Sequence, residues 1–339
     1  MADPGKRNWL SRLRYLLLIL CSCLFALALI EGLLRWLDIA NPPIYEPDPN
    51  FGYLFRPNQW VSTRGYRFHI NDAGLRGQNV VMPKPSGVYR IAFLGDSVTY
   101  GGGGVPDKDL FVNQVATSLS TQFGRPVEAI NISAPGWSPQ NLAGYVSAKG
   151  IFDADLVVWV IPSCDFRRHY ATPKDGKEFT KRTELRFVRL ILVGWDKLRE
   201  HIHESSSPAS SPDESRALQQ NLQDNLKAFR TTVNQLQRKG LPIALVLVPY
   251  EWGYYPSAAL PEYEAAATSC SVPFLDSAAS LLSQKPKKLF IDGVHLNVDG
   301  HQVLAEAIAK FLGGRVLGGV PPGQLQDRTQ RGSTQNPGS

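Results

Sequence analysis

The chain has 339 residues, of which 43% are hydrophobic and 19% are charged, so it is long enough for one sizeable α/β domain with additional segments. Its formal net charge is +6, but its basic residues form no stripe interleaved with aromatic side chains, and we expect no nucleic-acid partner. The four cysteines have neither the spacing of a zinc site nor that of a disulfide framework, so we expect no metal and no other cofactor.

The N-terminal segment has the pattern of a membrane anchor. Residues 1–14 include several basic side chains, and residues 15–37 are almost entirely apolar and long enough to cross a bilayer as a helix. Because basic residues remain on the cytoplasmic side, we expect residues 1–14 to be cytoplasmic and the body of the chain to be periplasmic or extracellular. A cleaved signal peptide has the same basic and apolar regions and is the alternative.

Residues 38–88 form a segment that we call the strap. It is rich in proline, glycine, asparagine and aromatic residues, which is typical of an extended segment without regular structure. We expect the strap to link the membrane anchor to the domain that follows. Its stretch from His69 to Gly77 contains residues that favour turns.

From residue 89 to residue 313, short apolar runs alternate with helical patterns. The predicted strands are 90–94, 127–131, 156–161, 242–248 and 272–275, and the predicted helices are 110–123, 139–152, 217–238, 263–269 and 298–311. Continuous apolar strands that alternate with helices indicate a parallel sheet covered on both faces. We therefore predict an α/β fold, a three-layer flavodoxin-like sandwich around a central parallel sheet of about five strands.

An insertion at residues 166–216 interrupts this alternation after the third strand. Residues 186–200 have the spacing of an amphipathic helix, and residues 205–215 form a loop rich in serine and proline. Because the insertion follows the carboxyl edge of the sheet, where α/β proteins bind ligands, it is a candidate lid, and a disordered surface loop is the alternative for its Ser/Pro part. Residues 314–339 lack apolar periodicity and are predicted to be a disordered tail.

The first chemical motif is the Gly-Asp-Ser turn that ends with Ser97, directly after the first predicted strand. A serine at that position lies on the carboxyl edge of the sheet, with its hydroxyl pointing into the cleft and its backbone N–H available to an oxyanion. A serine that only caps a helix is the alternative for the isolated motif. The placement after a strand favours a nucleophile.

The second motif places Asp292 and His295 three residues apart, just before the last helix. On a tight loop, that spacing lets the carboxylate bind one imidazole nitrogen while the other faces the serine. The histidine then acts as base and acid, and the aspartate fixes its tautomer. His301, on the following helix, is predicted to be a partly exposed scaffold residue.

Together these motifs resemble those of the SGNH/GDSL hydrolase superfamily, in its membrane-anchored bacterial type, over roughly residues 88–312. The resemblance implies that Ser97 is the nucleophile and that Asp292 and His295 complete the triad. It also implies an oxyanion hole formed by Ser97, by Gly136 in the stretch NISAPGWSPQN, and by the residue after the third strand, which is Cys164 here.

Cys164 departs from the family pattern, which has an asparagine at this position. A thiol is a much weaker hydrogen-bond donor than an amide, and loss of one oxyanion donor typically costs about 10²–10³ in turnover. Either Ser163 or a strap residue supplies the missing donor, or the site is slow or inactive. A disulfide between Cys164 and Cys270 is not expected, because the two residues should lie at opposite edges of the parallel sheet.

Two functions follow from these residues. The first is a serine esterase or O-acyltransferase, which the resemblance directs to acyl esters, acetyl above all, of cell-envelope glycans or lipids. Trp137, Glu251 and Trp252 follow strand ends and are candidates to line a sugar pocket, with packing as their alternative role. The second function is a weak or inactive scaffold that binds glycan or organises an envelope complex.

Overall fold

The fold is that of a computed structural model, which describes residues 4–39, 41–63, 65–102, 104–174, 185–203, 212–253, 259–283 and 288–317. The chain divides into two compact units. Unit 1 comprises Met1–Pro42 and Lys181–Pro208, and unit 2 comprises Pro43–Thr180 and Ala209–Ser339.

The regular elements of the described residues are as follows. The helices are α1 Pro4–Trp36, α2 Ser97–Tyr100, α3 Phe111–Phe123, α4 Pro139–Lys149, α5 Arg186–His203, α6 Pro212–Arg238, α7 Ala259–Ser269, α8 Ala278–Leu282 and α9 Val298–Phe311. The strands are β1 Tyr45–Asp48, β2 Gly52–Phe55, β3 Gln59–Thr63, β4 Tyr66–Ile70, β5 Tyr89–Gly95, β6 Val127–Ser133, β7 Leu156–Pro162, β8 Ile243–Val248 and β9 Phe274–Asp276.

Unit 1 consists of α1 and α5. From Arg12 to Trp36, α1 is long and apolar enough to cross a membrane, with a mean hydropathy of 2.6. Nearly all of its apolar side chains in this stretch are exposed, and Leu34 is partly buried. A signal sequence near an N-terminus has the same length and composition. Of the predicted anchor at residues 15–37, all but the last residue lies in α1. The amphipathic pattern predicted at residues 186–200 corresponds to α5.

In the strap, the prediction that regular structure is absent is wrong. Its described residues form two antiparallel hairpins, β1 with β2 and β3 with β4. The reason is a short alternation that the abundance of proline and glycine obscured: Val61, Phe68 and Ile70 point inward and are fully buried, while their neighbours along the strands are more exposed. The strap therefore contributes side chains to the core of unit 2.

Among the described residues of unit 2, five parallel strands form the central sheet in the order β6-β5-β7-β8-β9. This is the flavodoxin-like order, and it confirms the predicted α/β fold. Every residue of β5, β7 and β8 is buried, as expected for strands that are covered on both faces. Each strand begins and ends within two residues of its predicted bounds.

Helices cover both faces of the sheet. On one face α3 packs against α9, and on the other α4 packs against α6. The side chains between the sheet and these helices form two separate apolar clusters, and the strap hairpins add to the cluster on the α4 and α6 side. The sheet is thus the middle layer of three, as the sequence predicts.

Two of the predicted irregular segments lie mainly outside the described residues. This applies to most of the Ser/Pro loop at residues 205–215, of which Pro212 onward belongs to α6. It applies also to the tail from residue 318. The predicted start of the disordered tail at residue 314 is wrong, because residues 314–316 belong to a helical turn, Leu312–Val316, that continues α9, and Leu317 after it is buried against the α3 and α9 cluster.

The prediction that His301 is partly exposed is wrong. Its side chain is fully buried, because the face of α9 that contains His301 packs against the first turn of α3. There its Nδ1 accepts a hydrogen bond from the backbone N–H of Phe111 at 3.2 Å, and its ring stacks on the Phe111 ring. Burial lowers the pKa of His301 to about 3, so the imidazole is neutral at physiological pH.

Candidate active site

Ser97 is held at the carboxyl edge of the sheet by the turn that joins β5 to α2. The strand ends at Gly95, and the carboxylate of Asp96 caps the short helix by accepting a hydrogen bond from the N–H of Val98 at 2.8 Å. Ser97 is the first residue of α2, so its own N–H has no acceptor within the helix. This edge lies at the point where the strand order reverses, where open α/β sheets bind ligands.

His295 lies within hydrogen-bonding distance of Ser97, although 198 residues separate the two in sequence. The Nε2 atom of His295 is 2.9 Å from the Oγ atom of Ser97. On the other side of the ring, Nδ1 is 2.9 Å and 3.0 Å from the two carboxylate oxygens of Asp292. The serine, histidine and aspartate expected from the sequence therefore form one continuous hydrogen-bonded chain.

A tight loop before α9 gives Asp292 and His295 this geometry. The backbone N–H of Ile291 donates to the carbonyl of His295 at 2.8 Å, which closes the loop. The carboxylate of Asp292 also accepts the backbone N–H of His295 at 2.9 Å. The aspartate thus binds both the backbone and the side chain of the histidine, and this fixes the orientation of the ring.

The His295 ring packs against Gly102, which follows α2. A Cβ atom at Gly102 would lie 3.0 Å from the ring carbons of His295, and the backbone there has a φ of +57°. Only glycine combines this backbone conformation with room for the ring. Gly102 is therefore a positioning residue that the sequence did not reveal, although it belongs to the glycine-rich run after Ser97.

Gly136 lies in the loop between β6 and α4 with a φ of +81°. Strap residue Tyr53 packs against this loop and donates its hydroxyl proton to the carbonyl of Pro135 at 2.5 Å. Trp137 is fully buried and donates its indole N–H to the carbonyl of Tyr53 at 3.1 Å. Trp137 thus has the packing role, and the strap holds the loop that presents Gly136.

Cys164 lies two residues after the end of β7, and its sulfur accepts two hydrogen bonds while donating its own proton to Asp165 Oδ1 at 4.0 Å. The hydroxyl of Tyr250 donates to Sγ at 2.5 Å, and the guanidinium of Arg168 donates at 3.3 Å. Burial raises the pKa of the Cys164 thiol above its ordinary value, so the thiol stays protonated at neutral pH. Cys164 and the buried Cys270 are both free cysteines.

Arg168 connects Cys164 to the nucleophile turn. Its Nη2 atom lies 3.2 Å from the carboxylate of Asp96, the residue before Ser97, and 2.8 Å from that of Asp165. Burial raises the pKa of Asp165 well above its ordinary value, although Arg168 acts in the opposite direction. This buried cluster was not predicted from the sequence. Its signal was the pair Asp165 and Arg168, spaced three residues apart directly after a buried strand.

A second buried arginine fixes the strap beside the same turn. Arg76 has a side chain that is 0% exposed, and it pairs with Asp107 at 2.7 Å. It also donates to the carbonyl oxygens of Tyr100, at the end of α2, and Val105, at 2.9 Å and 2.5 Å. The strap therefore stabilises the loop that contains Gly102 and, through it, the position of His295.

Trp252 is the exposed aromatic side chain beside the loop of Asp292 and His295. It is 64% exposed, and its ring packs on Gly293, where a Cβ atom would approach the ring to 2.4 Å. The neighbouring N–H of Glu251 donates to the carbonyl of Gly293 at 2.8 Å. Of the three candidates for a sugar pocket, Trp137 is buried, Glu251 contacts the loop through its backbone, and Trp252 offers an exposed aromatic face beside it.

Comparisons with known proteins identify a family and several similar solved structures. Residues 93–303 match the family described as GDSL-like lipase/acylhydrolase. Similar solved structures include an acetylxylan esterase from Geobacillus stearothermophilus, with 18% identity, 66% of this chain and 94% of that chain covered, and a TM-score of 0.43. They also include a lipase/acylhydrolase from Enterococcus faecalis, with 15% identity, 67% and 96% coverage, and a TM-score of 0.41.

A further similar structure is a two-domain esterase active on acetylated mannans. It shows 15% identity over 66% of this chain and 49% of that chain, with a TM-score of 0.44. The search of curated proteins gave no match.

The contact between Gly102 and the imidazole predicts the effect of Gly102→Ala. The added methyl group pushes the ring away from Ser97, and we expect the rate at which a fluorophosphonate labels Ser97 to fall by about 10²-fold. Gly124→Ala is the matched control, since Gly124 has a φ of +63° but a Cβ atom there meets no described atom within 4 Å. An equal fall in both variants would contradict the positioning role of Gly102.

Proposed function

Because this chain belongs to the GDSL-like lipase/acylhydrolase family, we propose that it cleaves or transfers acyl groups through a Ser97 acyl-enzyme. The observation that carries the proposal is the unbroken chain of hydrogen bonds from Ser97 through His295 to Asp292. A side chain that only packs has no need of both partners at these distances.

In the proposed reaction, His295 Nε2 removes the proton of Ser97 as Oγ attacks the carbonyl carbon of the ester. The imidazolium that forms is stabilised by Asp292, and it returns the proton to the leaving alcohol oxygen when the tetrahedral intermediate collapses. Water or a sugar hydroxyl then gives its proton to His295 and attacks the acyl-enzyme. The bond between the acyl carbon and Ser97 Oγ breaks, and His295 returns the proton to Oγ, which restores the free enzyme. Water yields hydrolysis and a sugar hydroxyl yields transfer, with the same residues.

The negative oxygen of the intermediate requires hydrogen-bond donors, and we assign the backbone N–H groups of Ser97 and Gly136 to this role. Cys164 occupies the third position, but its sulfur accepts hydrogen bonds from Tyr250 and Arg168. A sulfur held in this way is a poor donor to an oxyanion. The proposed oxyanion hole therefore has two strong donors and one weak group.

Trp252 supports a glycan as the alcohol part of the ester. An exposed indole ring beside the catalytic loop offers an apolar face to the C–H face of a sugar ring. The basic residues in the first part of α1, before its apolar stretch, support a periplasmic or extracellular position of unit 2, where envelope polysaccharides and lipids are available. We propose acetyl esters of such glycans as the substrates and α1 as an uncleaved membrane anchor.

A scaffold without turnover is the second candidate, and the state of Cys164 is the observation that favours it. A site that cannot stabilise the oxyanion can still bind a glycan ester on Trp252. Both candidates predict binding, so turnover and labelling of Ser97 separate them.

The proposed mechanism predicts that Ser97→Ala lowers kcat for p-nitrophenyl acetate by at least about 10³-fold, because no other group forms the acyl-enzyme. Labelling by a fluorophosphonate should disappear in the same variant. The control is Ser118→Ala, which removes an exposed hydroxyl on α3. Turnover that survives in Ser97→Ala would exclude Ser97 as the nucleophile.

The weak third donor predicts that Cys164→Asn raises kcat, by up to about 10²–10³-fold, because an amide N–H replaces the sulfur at the oxyanion. Cys164→Ala is the control for loss of the sulfur alone, and we expect its kcat to stay near that of the original chain. If only Cys164→Asn turns over substrate and the original chain neither reacts nor is labelled, the scaffold is the correct function. Equal rates in both variants would remove Cys164 from the oxyanion hole.

The proposed sugar contact predicts that Trp252→Ala raises KM for an O-acetylated oligosaccharide by about tenfold, or about 1.4 kcal/mol of lost apolar contact. The kcat/KM for methyl acetate should stay nearly unchanged, because its alcohol part is a single methyl group that offers almost no surface to the indole ring. Trp60→Ala is the control, since Trp60 is 55% exposed on the β3–β4 hairpin. An equal loss with both substrates would mean that Trp252 supports the loop rather than the sugar.

A further inference from the structure

Helix α5 carries an apolar stripe along one face. Phe187, Ile191 and Trp195 follow one another at four-residue intervals, and the sequence continues the spacing at positions 198 and 202. Charged residues at positions 189, 196 and 200 fall on the opposite side of the helix. Such a division between an apolar and a charged face is typical of helices that lie in a membrane interface.

The centre of this stripe is exposed. Ile191 is 65% exposed and Trp195 is 64% exposed, so neither side chain is covered by the described part of unit 1. Transfer of two such large apolar side chains from water into an apolar environment is favourable. The described part of unit 1 provides no such environment, and exposed neighbouring apolar side chains are typical of an interaction surface.

The beginning of α5 is bound to the end of α1. The guanidinium of Arg186 donates to the carbonyl of Leu34 and to the carboxylate of Asp38, each at 2.9 Å. The backbone N–H of Phe187 donates to the carboxylate of Glu31 at 3.2 Å. These bonds hold the first turn of α5 at the level where the apolar stretch of α1 ends.

The position of the end of α1 relative to the membrane indicates which environment is available to the apolar stripe of α5. If α1 spans the membrane, Trp36 at its end lies in the interface, where tryptophan is enriched. Trp36 is 80% exposed, and Leu33 and Leu37 beside it are about half exposed. Exposed apolar side chains therefore lie both at the end of α1 and on α5, whose first turn is bonded to that end, and the same lipid environment is available to both.

We infer that α5 is an interfacial helix whose apolar stripe is buried at the boundary between the phospholipid head groups and the acyl chains. The inference rests on the proposal that α1 is an uncleaved membrane anchor. It assigns the insertion after β7 a second attachment to the membrane, in which the charged side of α5 faces water.

The experiment measures tryptophan fluorescence of the full chain in phosphatidylcholine vesicles, with and without lipids that carry bromine near the top of the acyl chain. The signal of Trp195 is the difference between the original chain and Trp195→Phe, which keeps the stripe apolar. We expect bromolipid to remove most of this signal, and aqueous iodide to leave it largely unchanged. Trp36→Phe gives the matched signal for the end of α1.

Comparison of the two signals separates this inference from the anchor proposal. Quenching of the Trp36 signal by bromolipid without quenching of the Trp195 signal would overturn the role of α5 alone. If neither is quenched, or if alkaline carbonate extracts the chain from membranes, the anchor and the interfacial helix are both wrong. A Trp195 signal that resists both quenchers would mean that protein covers the stripe, and this too would overturn the inference.

Discussion

The carboxyl edge of the parallel sheet is the constraint on which the site depends. Parallel strands all end at the same edge, so the residues after β5, β6 and β7 meet there however far apart they lie in sequence. Ser97, Gly136 and Cys164 each occupy such a position. The loop before α9 adds His295, whose imidazole reaches Ser97 across 198 residues of sequence. The sheet thus supplies proximity, and short loops supply orientation.

The sequence was sufficient for features that depend on local patterns. Apolar strands alternating with helices predicted the sheet, and two short motifs predicted that Ser97, Asp292 and His295 would meet. Features that depend on distant partners were not predictable. The burial of His301 depends on the packing of α3 against α9. The role of Arg168 depends on its ion pair with Asp96, which lies in the turn after a different strand. Contacts between side chains that are far apart in sequence leave no periodic pattern from which they could be predicted.

The buried cluster around Arg168 explains why Cys164 is compatible with the fold. Its sulfur accepts hydrogen bonds from Tyr250 and Arg168, so the neighbouring polar groups have a partner without an asparagine. The guanidinium also lies between the carboxylates of Asp96 and Asp165, whose mutual repulsion it offsets. Arg168 therefore joins the turn of the nucleophile to the end of β7 and links the conformations of the two loops.

The strap shows that the unit of homology and the unit of folding differ in this protein. The family match begins at residue 93, whereas the compact unit begins at Pro43. Tyr53 holds the Gly136 loop, and Arg76 binds the turn after α2. A boundary drawn from shared ancestry alone would cut through the hydrophobic core and separate the nucleophile from its supports. The segment before the family domain has become part of the enzyme's architecture, and changes in it can reach the active site without touching a family motif.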